Sequence, residues 1–303
     1  MGPVGSLRGC RLCPRQCGVD RAAGVTGHCG AGSRAQVFRY APHFGEEPPI
    51  SGSRGSGAVF FSRCTLNCIY CQNYPWSQEG LGVEYDAPGL AGILRSLDDQ
   101  GCHNWNLVSP TPWLPRISEA IGALADENIS LPVVMNTSSY ERVETLAQYA
   151  DMIDVFLADL RYASPRTALE GSGVTDYVDV ARVAVREMWR LAGPLRFDES
   201  GIALSGVICR ILILPGHADE AVANMEWLAD TIGTDVAVSL MAQYTPAHRA
   251  VSTKPWNRNI IKSEYVLAFE AFERLGFALG WVQDPDDPPP DGLVGFEMQQ
   301  SGV

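Results

Sequence analysis

The chain has 303 residues, 46% of them hydrophobic and 19% charged, which provides enough apolar side chains for a packed core and excludes wholesale disorder. Its net charge of −12 at pH 7 repels phosphate backbones, so we expect no nucleic-acid partner. The sequence has neither an apolar run of about 18 residues nor an apolar signal-peptide core near its start, so we expect no membrane contact and a cytoplasmic location.

The first 56 residues are rich in Gly, Arg, Pro and Cys and show little periodicity, which predicts a small irregular lobe. From Gly57 onward, short apolar runs typical of strands alternate with amphipathic stretches typical of helices. We expect strands at residues 57–62, 105–109, 131–136, 153–159, 207–214 and 235–241, and helices at residues 86–100, 115–127, 140–149, 176–191, 218–232 and 263–275.

Six strand-then-helix units predict right-handed parallel crossovers and therefore an α/β fold. Because a TIM barrel has eight such units, we predict a partial (β/α)6 TIM-like barrel, with a doubly wound open sheet as the structural alternative. The predicted divisions are a Cys-rich N-terminal lobe at residues 1–56, the barrel at residues 57–283 and a flexible tail rich in Asp and Pro at residues 284–303.

Nine cysteines carry the strongest chemical signal, and seven of them fall into two groups. In a chain predicted to be cytoplasmic, clustered thiols indicate metal ligands before disulfides. Cys64, Cys68 and Cys71 follow the first barrel strand with the spacing C-x3-C-x2-C, which puts them at the carboxyl end of a parallel strand, where ligands bind. Three thiolates are one fewer than the usual set for a [4Fe–4S] cluster, so they leave one iron open to a substrate or cofactor.

With Tyr70 just before the third cysteine, this loop resembles the signature of radical S-adenosylmethionine (SAM) enzymes. The resemblance implies that the three cysteines hold a [4Fe–4S] cluster whose open iron binds SAM, that Tyr70 lies near the adenine, and that the fold is a partial (β/α)6 barrel. In the implied reaction, an electron from a donor of flavodoxin or ferredoxin type cleaves SAM to methionine and a 5′-deoxyadenosyl radical. That radical takes hydrogen from a protein of glycyl-radical type or from a small-molecule substrate.

Further segments resemble one branch of that superfamily, the proteins similar to pyruvate formate-lyase activating enzyme. The resemblance runs from about Cys10 to Trp281, and the order of its segments makes the combination specific. We therefore interpret the chain as an activating-enzyme-like oxidoreductase. The segments are residues 10–21, 46–52, 55–57, 71–73, 136–140, 159–161, 214–216 and 239–244.

The other strand ends are predicted to supply polar contacts to SAM. The resemblance implies that Asp159 and Arg161 contact its amino-acid portion, while strand alternation turns Arg210 into the barrel. His43 and Glu46 are weaker candidates for the cavity wall. The predicted SAM-binding residues are Tyr70, Ser109, Thr111, Asn136, Ser138, Asp159, Arg161, Arg210 and Gln243.

Three positions depart from the pattern of this branch. Pro112 stands where the branch has histidine in Pro-Thr-His, Arg161 stands in place of lysine, and Ile211 stands where histidine follows the arginine. These departures concern the substrate rather than the cluster ligands.

A second group of cysteines lies in the N-terminal lobe with the spacing C-x2-C-x3-C-x11-C. Four thiolates would close a structural site, and both zinc and a second iron–sulfur cluster fit, with the compact first half favouring the cluster. Cys102 and Cys209 stand alone and are predicted to be inert apolar residues. The four predicted ligands are Cys10, Cys13, Cys17 and Cys29.

Other interpretations of the cysteines remain open. Cys64, Cys68 and Cys71 could bind zinc together with His28 or His43, which would make the protein a zinc-stapled binding module without a redox role. A cluster and SAM could also serve aminocarboxypropyl transfer instead of radical formation. Finally, the four cysteines of the lobe could be reduced and without a metal.

Overall fold

The computed structural model describes residues 7–285. In that part of the chain, ten strands belong to one sheet. They are β1 (Ala35–His43), β2 (Ser56–Phe61), β3 (Val83–Tyr85), β4 (Trp105–Val108), β5 (Val133–Thr137), β6 (Val155–Asp159), β7 (Arg196–Phe197), β8 (Ala203–Leu212), β9 (Ala237–Met241) and β10 (Gly280–Val282).

The described residues also form α-helices and four short 3-10 turns, the first of which precedes β1. The helices are α1 (Pro48–Ser51), α2 (Tyr74–Ser77), α3 (Ala87–Asp99), α4 (Leu114–Ala125), α5 (Val143–Gln148), α6 (Pro165–Ser172), α7 (Tyr177–Ala192), α8 (Ala218–Thr231) and α9 (Lys262–Leu275).

The predicted fold class is confirmed. Strands β2, β4, β5, β6, β8 and β9 pair in parallel in chain order, as six strand-then-helix units require. The sheet runs in the order β3–β1–β2–β4–β5–β6–β8–β9–β10, with β7 paired to β8 outside this path, and it is not closed. The result is a partial barrel whose parallel strands end at one common edge.

The two faces of the sheet have different partners. On the outer face, Val59 and Leu107 belong to one buried cluster with Leu94 of α3 and Ile117 of α4. On the inner face, a separate apolar cluster includes Val134, Val155 and Ala237 from the first halves of their strands, together with Ile50 of α1. This cluster fills the interior near the amino ends of the strands and leaves the carboxyl ends to polar side chains.

The structure differs from the sequence prediction at β1 and at α5. Strand β1 belongs to the predicted N-terminal lobe, yet it pairs antiparallel with β2. The division at residue 56 therefore remains a prediction. The β1–β2 pair joins the residues on its two sides. The helix predicted at residues 140–149 begins only at Val143, because Ser139 has a φ of 60° and accepts the backbone N–H of Glu141 in a turn.

Apart from residues 284 and 285, the predicted tail lies outside the described residues. Among the helices of residues 7–285, none has both the length and the hydropathy that crossing a bilayer requires.

Candidate active site

The three-cysteine loop begins directly after β2, at the carboxyl edge of the sheet. Cys68 is buried, while Cys64 and Cys71 are half-buried. The Sγ of Cys68 lies 2.9 Å from Ser172 Oγ and accepts a hydrogen bond from Arg161 at 3.1 Å. The fold therefore brings a predicted cluster ligand into contact with a predicted SAM-binding residue.

The three thiols lie close enough to affect one another's ionisation. Burial raises the pKa of Cys64 to about 12, and Cys68 and Cys71 add to the increase. Burial also raises the pKa of Cys71, again with a contribution from Cys68, whereas Arg161 opposes the increase at both residues. Thiols in such a place become thiolates most readily when they bind a cationic metal centre. The donor set therefore fits an iron–sulfur cluster.

A single metal ion and a cluster make different demands on their ligands. Within residues 7–285, no three His, Cys, Asp or Glu side chains are grouped closely enough to hold one metal ion. Each cysteine of a four-iron cluster binds a different iron, so its ligands surround the cluster instead of meeting at one atom. Three thiols at the edge of a cavity are compatible with that second arrangement.

Two adjoining cavities open at the carboxyl ends of the strands, with volumes of about 240 and 150 Å³. The smaller one extends to the three-cysteine loop through Cys71, and both are bordered by Gln72 and Asn73. Ligands of α/β proteins bind at this edge of the sheet. Eight of the nine predicted SAM-binding residues line the cavities: Tyr70, Ser109, Asn136, Ser138, Asp159, Arg161, Arg210 and Gln243.

Arg161 connects the end of β6 to the three-cysteine loop. It donates to Asp159 Oδ2 at 2.8 Å while its other terminal nitrogen contacts Cys68. Burial alone would lower the pKa of Arg161, but Cys68 and Asp159 raise it well above its usual value, so the guanidinium stays charged. The hydroxyl of Tyr177 accepts the backbone N–H of Arg161 at 3.0 Å and fixes this strand end.

Arg210 points into the barrel, where it is held between two carboxylates. Its Nε donates to Glu47 at 2.9 Å, and its Nη2 contacts both Glu46 and Glu47. Burial alone would raise the pKa of Glu47, but Arg210 lowers it, so this carboxyl is ionised. Glu47 was missed by the sequence analysis, although its position beside Glu46 in the resembling segment 46–52 was a usable signal.

Thr111 is the predicted SAM-binding residue that is absent from the cavity lining. Its Oγ1 donates to Glu141 Oε1 at 2.5 Å, and Thr137 donates to the same oxygen at 2.6 Å. The other oxygen, Oε2, is buried without a hydrogen-bond partner among the described residues. Burial raises the pKa of Glu141 to about 7, although the two threonines lower it. This carboxyl was not predicted from the sequence.

Tyr70 lines the smaller cavity and is held by other aromatic rings. Its ring stacks on Trp256 with centroids 5.2 Å apart, and its hydroxyl lies 2.8 Å from that of Tyr162. Neither partner could be selected from the sequence, because each lies far along the chain and in no motif. The contacts fix the orientation of Tyr70 beside the cavity.

The N-terminal cysteines are also close to one another. Burial raises the pKa of Cys13 to about 12, with Cys29 and Cys10 adding to the increase. Burial likewise raises the pKa of Cys29, and Cys10 and Cys17 contribute. A Cβ at Gly27 would lie 2.8 Å from the sulfur of Cys17, so this packing requires glycine. The four predicted ligands thus interact as one group, although no three of them lie close enough to hold a single metal ion.

The N-terminal group is fastened to the barrel by Arg21, which is buried. Arg21 donates to the carbonyl of Gly32 at 2.6 Å and to that of Pro112 at 2.7 Å, and its guanidinium lies over the ring of Trp113. Pro112 follows the strand end that supplies Ser109 to the cavity. Arg21 therefore joins the lobe to one wall of the cavity, alongside the hydrogen bond that Thr145 donates to the carbonyl of Leu12.

Comparison with known proteins places this chain by its fold. No protein family model matches it. MJ0674, an uncharacterized protein of Methanocaldococcus jannaschii, is 27% identical over 286 residues, which cover 90% of this chain and 77% of that protein.

Two solved structures are similar to part of this chain. The FeFe-hydrogenase maturase HydG from Carboxydothermus hydrogenoformans is similar with a TM-score of 0.51 and 17% identity, over 77% of this chain and 54% of that one. SuiB of Streptococcus suis bound to S-adenosylmethionine is similar with a TM-score of 0.46 and 11% identity, over 73% of this chain and 48% of that one. The chain spans about half the length of these structures, and the likeness to HydG is one of fold.

Proposed function

We propose that this chain is a radical SAM enzyme in which Cys64, Cys68 and Cys71 hold a [4Fe–4S] cluster. The observation that carries the proposal is the position of three interacting thiols beside a cavity lined by the predicted SAM-binding residues. The fold shared with HydG supports the barrel on which this site is built. When bound and reduced, the cluster supplies the electron that splits SAM into methionine and a 5′-deoxyadenosyl radical.

The residues of the chain prepare the site for SAM. Arg161 carries a permanent positive charge beside Cys68, so it offsets the negative charge of a thiolate and attracts the carboxylate of SAM. Asp159 holds the orientation of Arg161 through a 2.8 Å ion pair and offers an acceptor to the amino group of SAM. Tyr70 presents a fixed ring at the cavity wall for the adenine.

The substrate belongs to the same proposal. The resemblance to activating enzymes suggests an oxidoreductase that takes hydrogen from a protein of glycyl-radical type, and a small molecule is the alternative. We also propose a cytoplasmic location and a one-electron donor protein. The residues nearest to the substrate would be Glu46, Glu47 and Arg210, because they line a third cavity of about 280 Å³, and Glu46 and Arg210 also border the larger of the two cavities described above.

We also propose that Cys10, Cys13, Cys17 and Cys29 hold a second iron–sulfur cluster rather than zinc. The compact spacing of the first three ligands supports this choice. Iron, sulfide and zinc analysis of protein purified without oxygen decides it: about eight irons per chain agree with two clusters, whereas about four irons and one zinc agree with a zinc lobe.

The experiment that tests the function is product analysis. The protein is purified and reconstituted without oxygen, then incubated with SAM and dithionite. We expect 5′-deoxyadenosine and methionine. Methylthioadenosine would instead indicate aminocarboxypropyl transfer, and a colourless protein with stoichiometric zinc would indicate a binding module.

A pair of cysteine variants provides the control. Cys68→Ala removes a proposed ligand and should abolish product formation. Cys209→Ala removes a buried thiol that faces the apolar core and should retain both the cluster and the activity. Equal activity of the two variants would contradict the proposed site.

A further inference from the structure

A segment that contributes Thr245 and Trp256 to the site described above also crosses the outside of the three-cysteine loop. We call residues 245–262 the strap. The backbone N–H of Ala250 donates to the carbonyl of Ile69 at 2.9 Å, and Arg249 donates to the carbonyl of Asn67 at 2.6 Å. Asn67 is exposed and immediately precedes Cys68. The strap therefore meets the loop where it comes to the protein surface beside a proposed cluster ligand.

The strap has an unusual charge for this protein. The chain carries a net charge of −12, yet residues 236–263 contain neither Asp nor Glu. The same stretch contains four fixed cations, including both lysines of the whole chain. They are Arg249, Lys254, Arg258 and Lys262.

Three of these cations are available to a partner. Arg258 is bound by Glu264 at 2.7 Å, whereas Arg249, Lys254 and Lys262 are exposed and have no ion pair within residues 7–285. A charged side chain that is neither buried nor paired adds little to folding, so its positive charge is free to act on an approaching molecule.

Apolar side chains accompany these cations. Val251 is 60% exposed and Ile261 is 52% exposed. Cations at the rim and exposed aliphatic groups between them are typical of a surface that docks another protein. Lys254 and Val251 lie in the same short stretch as Arg249, close to the contact with the three-cysteine loop.

We propose that the strap is the docking surface for an acidic one-electron carrier protein that reduces the cluster. The remaining surface is acidic overall and repels such a partner, so the local cations orient its approach toward Asn67 and Cys68. Electron transfer between proteins requires close approach of the two redox centres, and this is where the proposed cluster loop reaches the surface. This inference rests on the proposed radical SAM function.

The test compares two double variants with the same change in charge. Lys254→Glu with Lys262→Glu reverses the charge of two side chains of the strap. Arg54→Glu with Arg196→Glu reverses two exposed cations near the amino ends of β2 and β8, away from the site. Reduced flavodoxin is mixed with each reconstituted protein at several salt concentrations, and bleaching of cluster absorbance is followed by stopped flow.

We expect the strap variant to be reduced about tenfold more slowly than the wild type at low salt, with the difference fading as ionic strength rises. The control variant should stay within about twofold of the wild type. Equal rates for the strap variant and the control variant would overturn the docking surface, even if the strap variant bound some other protein less well.

A second readout distinguishes failure of this proposal from failure of the radical SAM function on which it rests. With excess dithionite, the wild type and both double variants should form the same amount of 5′-deoxyadenosine. If dithionite yields no 5′-deoxyadenosine from the wild type, the proposed function fails. If dithionite supports the reaction and flavodoxin reduces the wild type and the strap variant at one rate, the docking proposal alone fails.

Discussion

The two groups of cysteines differ in what surrounds them. The group of three adjoins a cavity with charged walls, and Cys68 contacts the guanidinium of Arg161 at 3.1 Å. The N-terminal group of four is instead tied together by backbone. Gly18 donates its N–H to the carbonyl of Cys10 at 2.9 Å, and His28 donates its N–H to the sulfur of Cys17 at 3.3 Å.

Under the proposed function, this difference separates a site for chemistry from a site for stability. Three donors beside a cavity leave room for a small molecule at the metal centre, whereas four donors in a backbone cage complete their own site. Between residues 7 and 34, the buried apolar residues are Leu12, Cys13 and Ala31, so a metal or cluster would add the stability that a core cannot. Substitutions in the two groups should therefore have different consequences.

The largest effect is expected from the group of three. Cys64→Ser should lower 5′-deoxyadenosine formation by at least about 100-fold, because a cluster needs every thiolate that this loop offers. The melting temperature should change little. Electron paramagnetic resonance of the reduced protein should show the loss of the SAM-responsive signal, and a signal that still shifts when SAM is added would contradict the assignment.

The next largest effect is expected at Arg161. Arg161→Gln removes the charge that contacts both Cys68 and Asp159, so the rate of SAM cleavage should fall by about 100-fold. Arg161→Lys keeps the charge but loses the planar fork and should cost about tenfold. The two variants are compared by the KM for SAM and by kcat, and identical losses would show that the charge has no role.

Much of this site could be predicted because its signals are local. The spacing of Cys64, Cys68 and Cys71 lies within one loop, and strand periodicity placed Asp159 and Arg161 at the end of β6. The clamp on Arg210 could not be predicted, since Glu47 is 163 residues away and pairing at that distance depends on how the open sheet curves.

Strand β1 was missed for a related reason. Its burial is partial, with Arg39 and Tyr40 exposed, so its hydrophobic pattern is weak. Pro42 also argues against a strand in the interior of a sheet. What forms β1 is pairing with β2 and β3, a tertiary interaction that leaves little trace in local sequence.

A smaller effect on activity is expected from the group of four. Cys13→Ser should lower the melting temperature by about 5–10 °C, because a buried ligand is lost and the lobe loosens. SAM cleavage driven by dithionite should stay within about tenfold of the wild type. Metal analysis should show loss of the N-terminal metal while the SAM-responsive signal persists. Loss of both in this variant would contradict the different roles of the two cysteine groups.

The smallest effect concerns Glu141, which lies near Cys13 of the group of four and carries a pKa of about 7 because it is buried. Its usual pKa of 4.5 applies in the unfolded chain, so the folded protein holds this proton more tightly. The contribution of this residue to stability is therefore greatest at low pH and falls as pH rises toward 7. Glu141→Gln cannot ionise and should remove that pH dependence.

Unfolding in urea at pH 5.5 and 8.5 measures the effect, because the wild type should lose about 2 kcal/mol across this interval relative to Glu141→Gln. Glu273→Gln is the matched control on the exposed side of α9, and it should follow the wild type at both pH values. A parallel loss in Glu141→Gln would mean that Thr111 and Thr137 already satisfy an ionised carboxylate. The surroundings of Glu141 would then be stabilised by these hydrogen bonds rather than by a buried proton.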